Sequence, residues 1–117
     1  MNEVYKDVVG YEEFYEISNL GNIRSKDRQV LNNGTYFTRS GQQLKPASNG
    51  IGYLQVGLTK DGVRKRKYIH RLVLEAFEGT SKLETNHKDR DKSNNRLDNL
   101  EYISHKDNVE HWRTLNR

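Results

Sequence analysis

His87, Asn99 and Asn108 follow one another twelve and then nine residues apart, and this spacing limits what the C-terminal part of the chain can fold into more than any other feature. Only a strand that turns, returns beside itself and runs into a helix can bring three such distant side chains together. The residue pattern agrees. Lys82 to His87 reads as a short strand, Lys88 to Asn94 as a polar turn and Leu100 to Ile103 as a second strand. Ser104-His105-Lys106-Asp107 has the Ser-x-x-Asp form of a helix start, which puts Asn108 in the first turn of a final helix with Val109 and Trp112 pointing inward. Metal-assisted cleavage of a phosphodiester needs a neutral imidazole to take a proton from water, and oxygen donors to hold a hard cation. His87 can supply the first, Asn86 and Asn108 the second.

Upstream, Leu54, Val56 and Leu58 alternate on one face, Asp61-Gly62 supplies a turn, and Val63 to Ile69 runs back. Ile69, Leu72, Val73, Ala76 and Phe77 then recur at helical spacing up to Gly79, which predicts a helix with one apolar face packed on that sheet. Near the N-terminus, Phe14 to Ser18 and Ile23 to Ser25 read as a hairpin around the turn residues Asn19-Leu20-Gly21-Asn22. Lys26 to Ser48 is polar and rich in Gly, Asn, Ser and Gln, and reads as a long surface loop or weak strands. The expected fold class is α+β: a β-rich portion over 1–68, then the helix and a strand-turn-strand-helix module over 69–117.

Two stretches resemble a known family. Asn86-His87-Lys88-Asp89, then Asn94-Asn95-Arg96-Leu97-Asp98-Asn99-Leu100-Glu101-Tyr102, then Asn108, resemble the HNH (ββα-metal) nucleases, in particular the homing endonucleases of phages and mobile introns. The run from Val8 to Ser25 resembles a module found upstream of the HNH domain in such enzymes. The resemblance implies one divalent metal ion, Mg²⁺ or Mn²⁺, held by Asn86 and Asn108, with His87 as general base and Asn99 as a brace of the turn. It further implies hydrolysis of DNA to 5′-phosphate and 3′-hydroxyl ends. The position of Asn86 is often aspartate in the family, so metal affinity is expected to be lower here, and Asp89, Asp91 and Asp98 could add charge through bound water. One metal site cuts one strand, so a monomer or weak dimer is expected to nick. Longer homing relatives carry further DNA-reading segments beyond this point, so looser sequence specificity is expected. The alternative is a catalytically weak or inactive DNA-binding protein.

Net charge is +4 with a pI near 9.3, a balance that favours an anionic partner. Double-stranded DNA is the expected one. The candidate contacts are Arg24, Lys26 and Arg28, and the run Arg64, Lys65, Arg66 and Lys67; strand alternation lets at most half of that run meet one surface. With no cysteine, disulfides and thiolate zinc sites are excluded, so any metal is expected to be catalytic. Asp89-Arg90-Asp91 begins like an EF-hand loop, but Asn94 stands where that loop needs glycine and Leu100 where it needs glutamate. No long apolar run suggests a membrane span or signal peptide, and the cytoplasm of a phage-infected or bacterial cell is the expected location. Asn94 and Asn95 read as turn residues. His70, His105 and His111 read as structural, with His111 a substitute ligand should Asn108 not reach, and Tyr53, Tyr68 and Trp112 as core or half-buried.

Overall fold

Residues 2–115 are described by a computed structural model. Among these residues, ten strands and two α-helices follow one another. Strands β1 (Tyr5–Asp7), β2 (Tyr15–Ser18) and β3 (Ile23–Ser25) form an antiparallel sheet in that order. The pair β4 (Arg28–Asn32) and β5 (Thr35–Arg39) stands as a two-stranded hairpin. A third sheet joins β6 (Ala47–Ser48), β7 (Leu54–Lys60) and β8 (Val63–Tyr68), and β9 (Glu84–His87) pairs with β10 (Leu100–Ile103). Helix α1 (Ile69–Glu78) follows β8 directly, and α2 (His105–Leu115) follows β10. The mixed architecture is the α+β class expected.

Two hairpins close through the same chemistry. Asp61-Gly62 links β7 to β8, and Asn33-Gly34 links β4 to β5, with positive φ at all four residues. Such two-residue turns match the strand twist and favour Asn-Gly and Asp-Gly pairs. The stretch expected to be a loop or weak strands therefore contains a regular hairpin. Nine of its ten strand residues are exposed, Tyr36 and Phe37 among them.

Helix α1 holds the parts together. Its apolar face buries Ile69, Leu72, Val73 and Leu74 in one cluster with Val8, Ile17 and Ile23 from the N-terminal sheet, Val56 and Leu58 from β7, and Leu100 from β10. The helix stops at Gly79, whose carbonyl accepts a hydrogen bond from the Tyr102 hydroxyl at 2.9 Å. Arg71 spans the same region, its guanidinium donating to the carbonyls of Ser81 and Leu83. The molecule is long for its size, 63 × 29 × 23 Å, with a radius of gyration of 16.4 Å against about 13 Å for a compact chain of this length.

Three expectations fail on burial or location. Val109 is exposed on α2 instead of pointing inward, and Tyr68 is exposed at the end of β8, although Trp112 and Tyr53 are half-buried as expected. Phe77 is only half-buried, with the Lys6 ammonium 5.0 Å from its ring centre. Tyr68 and Phe77 lie near the ends of their elements, where periodicity gives a face but not the depth of cover over it. Among the described residues, no helix is long and apolar enough to cross a membrane.

Candidate active site

The register of β9 against β10 builds the site. Leu100 lies opposite His87 and Glu101 opposite Asn86, and facing residues on one strand pair are close enough for their side chains to meet. Asn86 accordingly donates from Nδ2 to Glu101 Oε1 at 3.0 Å. Two residues earlier on the strand, Glu84 reaches α2: its Oε1 accepts from Asn108 Nδ2 at 3.0 Å, and its Oε2 lies 2.6 Å from His105 Nδ1. Ser104 starts that helix as its pattern implies, its hydroxyl accepting from the Asp107 amide at 3.2 Å. The bonds from Asn108 and then His105 hold the Glu84 carboxyl below its ordinary pKa.

These contacts fix which way both amides face. A carboxylate only accepts hydrogen bonds, so the NH₂ ends of Asn86 and Asn108 must face Glu101 and Glu84. Their oxygens then point elsewhere, and both are buried with no hydrogen-bond partner. A buried polar atom without a partner is costly and uncommon. Two such oxygens on β9 and α2, each with a carboxylate behind its amide, fit a hard divalent ion that keeps part of its water shell. No group of three or more His, Cys, Asp or Glu side chains forms a metal cage among the described residues. An ion here would rest on amide oxygens. His111 Nε2, one turn beyond Asn108, is also buried and unpartnered.

The segment between the strands is held by Asn99. Its Oδ1 accepts from the Asp89 amide at 3.0 Å, and its Nδ2 donates to Asp89 Oδ1 and to the Asn94 carbonyl, both at 2.9 Å. The Arg90 amide donates back to the His87 carbonyl at 2.9 Å, with Arg90 itself at a φ of 66°. Asp89 and Asp91 are occupied in this loop: Asp89 takes bonds from Asn94 and Asn99, Asp91 from Ser93, and both carboxyls are held below their ordinary pKa chiefly by those side chains. Asp98 pairs with Arg96 at 3.4 Å. The carboxylates beside the candidate metal ligands are Glu84 and Glu101, where the sequence pointed to the three aspartates.

His87 is buried, and its Nε2 lies 2.8 Å from Asn95 Oδ1. Asn94 is a turn residue as expected; Asn95 is not, being buried against the imidazole. His70 is buried beside it. Its ring sits 5.1 Å from that of His87, edge to face, and 5.2 Å from Tyr68 in a stack. Burial, then the nearby His87 and Arg71, pushes the pKa of His70 down to about 4. Folding therefore favours its neutral form. That contribution is complete above the unfolded value of about 6.5 and is lost as pH falls toward 4. Unfolding monitored by urea should show roughly 2 kcal/mol less stability at pH 5 than at pH 7.5 from this residue, and His70→Phe should flatten that part of the profile.

The basic residues divide into two groups. Arg24 is bonded to Glu16 at 3.1 Å and lies over the Tyr5 ring, and Lys26 is bonded to Asp7 at 2.6 Å, so both charges have partners within the protein. Arg28 is exposed and stands opposite Arg39 in the hairpin ladder. Arg64 and Arg66 share one groove with Lys45, while Lys65 lines another beside Tyr11 and Lys60. Lys67 is half-buried next to Tyr68.

Two family models match the chain one after the other. Residues 3–59 match the family model of the NUMOD4 motif, and residues 67–110 that of the HNH endonuclease. DNA endonuclease I-HmuI of Bacillus phage SP01 is 38% identical over 108 residues, covering 91% of this chain and 55% of that protein. An uncharacterized HNH endonuclease, L245 of Acanthamoeba polyphaga mimivirus, is 38% identical over 99 residues, 83% of this chain and 26% of its own length. The chain thus spans about half the length of the first relative and a quarter of the second. A solved structure described as DNA binding and cleavage by the HNH homing endonuclease I-HmuI superposes with a TM-score of 0.78 at 35% identity, over 97% of this chain and 59% of that one. With both motifs matched in order, and a fold shared at this level of identity, the chain belongs to the HNH endonuclease family and carries a NUMOD4 motif ahead of its HNH segment.

Proposed function

We propose that this chain is a metal-dependent DNA endonuclease that hydrolyses one phosphodiester per active site and so nicks duplex DNA. The observation that carries the reading is the pair of buried, unpartnered amide oxygens of Asn86 and Asn108, with the buried His87 following Asn86 on the same strand. Asn86 and Asn108 would hold a divalent ion, Mg²⁺ or Mn²⁺, with Glu101 and Glu84 orienting their amides and offsetting the neutrality of the two ligands. When bound, the ion supplies positive charge against the phosphate and the departing 3′-oxygen. His87 takes a proton from the attacking water as its oxygen bonds to phosphorus; the bond to the 3′-oxygen breaks and that oxygen takes a proton from solvent water, leaving a 5′-phosphate and a 3′-hydroxyl. Asn99 keeps the loop after His87 in place. The like-charged pair Arg28 and Arg39, directly opposite each other, is unfavourable in an isolated hairpin and suits a phosphate backbone laid across it, as do Arg64, Arg66 and Lys45 in their groove.

Purified protein is expected to convert supercoiled plasmid to the nicked circle in Mg²⁺ or Mn²⁺, and to stop when a chelator removes the ion. The second reading, a DNA-binding protein without useful catalysis, draws on the neutral ligand Asn86 in place of a carboxylate. Binding of duplex with no nicking in any divalent ion would establish it.

A further inference from the structure

A histidine acting as general base must present a lone pair to water, and a neutral imidazole has only one. Which ring nitrogen carries it depends on what the other nitrogen bonds. In His87 that partner is Asn95 Oδ1, 2.8 Å from Nε2. An amide oxygen accepts and does not donate, so this contact requires the proton on Nε2 and leaves the lone pair on Nδ1. The opposite amide orientation would set an NH₂ group against Nε2, move the proton to Nδ1 and remove the base from that nitrogen.

Asn95 is itself held from an unexpected direction. The turn between β2 and β3 packs on it: Gly21 has a φ of 87°, and a Cβ there would come within 3.0 Å of Asn95 Cβ and 3.1 Å of its carbonyl oxygen. Two residues on, the Leu97 amide donates to the Asn19 carbonyl at 2.8 Å. Asn95 meanwhile leaves its NH₂ buried without a partner, which a residue kept only to shape a turn has no reason to do.

We infer that Asn95 is a positioning residue that selects the His87 tautomer with its lone pair on Nδ1, and that the Asn19–Gly21 turn of the N-terminal module keeps Asn95 in place. This rests on His87 being the general base. The consequence is that the module ahead of the HNH segment takes part in setting up the reacting histidine, beyond any contact it makes with DNA.

The test reads the ring directly, by ¹⁵N NMR of the metal-free protein at a pH where His87 is neutral. The parent should show His87 protonated at Nε2; Asn95→Leu, which removes the acceptor, should show a mixture of tautomers, and Gly21→Ala should shift the parent signal in the same direction. Single-turnover cleavage by Asn95→Leu should fall about 10–100-fold with duplex binding unchanged, whereas Asn95→Asp, which keeps an acceptor oxygen, should recover most of the rate. A parent ring protonated at Nδ1 overturns the inference whether or not the variants fold, and equal rates for the Leu and Asp variants overturn it as well. Because the ring is read without DNA or metal, a wrong tautomer and a wrong general base give different results.

Discussion

Replacing His87 with alanine should lower strand cleavage by roughly 10²–10⁴-fold, the range lost with a general base. Binding of duplex and of the divalent ion should persist, because in the proposed mechanism the imidazole acts on water while Asn86 and Asn108 hold the ion. The variant should also stay folded. His87 is buried, but its side-chain bond runs to Asn95 within the same loop, and the loop's bracing belongs to Asn99. Single-turnover nicking, duplex binding and Mn²⁺ binding measured on one preparation separate these effects. Cleavage at the parent rate would mean that another group accepts the proton. His111, with its buried and unpartnered Nε2, would be examined next.

The second large effect is on stability. Leu72→Ala should cost about 2–5 kcal/mol, as expected for emptying a leucine site in a packed core. Leu72 is 4% exposed on the face of α1 that gathers the two three-stranded sheets and β10 into one cluster, to which the β4–β5 hairpin adds nothing. Against a total of about 5–15 kcal/mol for a domain, this is a large part of what keeps the chain folded. Phe77→Ala should cost less, since Phe77 is half-buried. Equilibrium urea unfolding of the two variants gives the order, and parent-like stability in Leu72→Ala would show that α1 does not centre the core.

What the sequence made legible was the local geometry that side-chain period and turn chemistry encode. Alternation over Leu54–Leu58 with Asp61-Gly62 gave the β7–β8 hairpin. Helical spacing from Ile69 with Gly79 gave α1 within a residue, and Ser104 gave the start of α2. These signals need no knowledge of what lies across the fold. Asn33-Gly34 carries the same turn signal, but the strands it joins hold their apolar residues in adjacent pairs, Val30-Leu31 and Tyr36-Phe37, so neither strand alternates. The roles of Asn95 and His70 were illegible for a different reason: each meets His87 only through tertiary packing, and a single asparagine in a polar loop looks the same whether it faces water or an imidazole. The basic residues teach a related point. Arg24 and Lys26 look free in one dimension, yet Glu16 and Asp7 stand beside them once β1, β2 and β3 pair. Arg39 and Lys45, isolated in sequence, join cationic groups instead.

The β4–β5 hairpin has a consequence of its own for how the molecule moves. A two-stranded ribbon with nine of ten residues facing solvent has little beyond its own ladder to resist opening, and such hairpins are marginally stable in water. Local unfolding there costs far less than the global transition that α1 governs. The amide protons of this arm are therefore expected to exchange through local opening well before those of the centre, where the imidazole and the two amides are held.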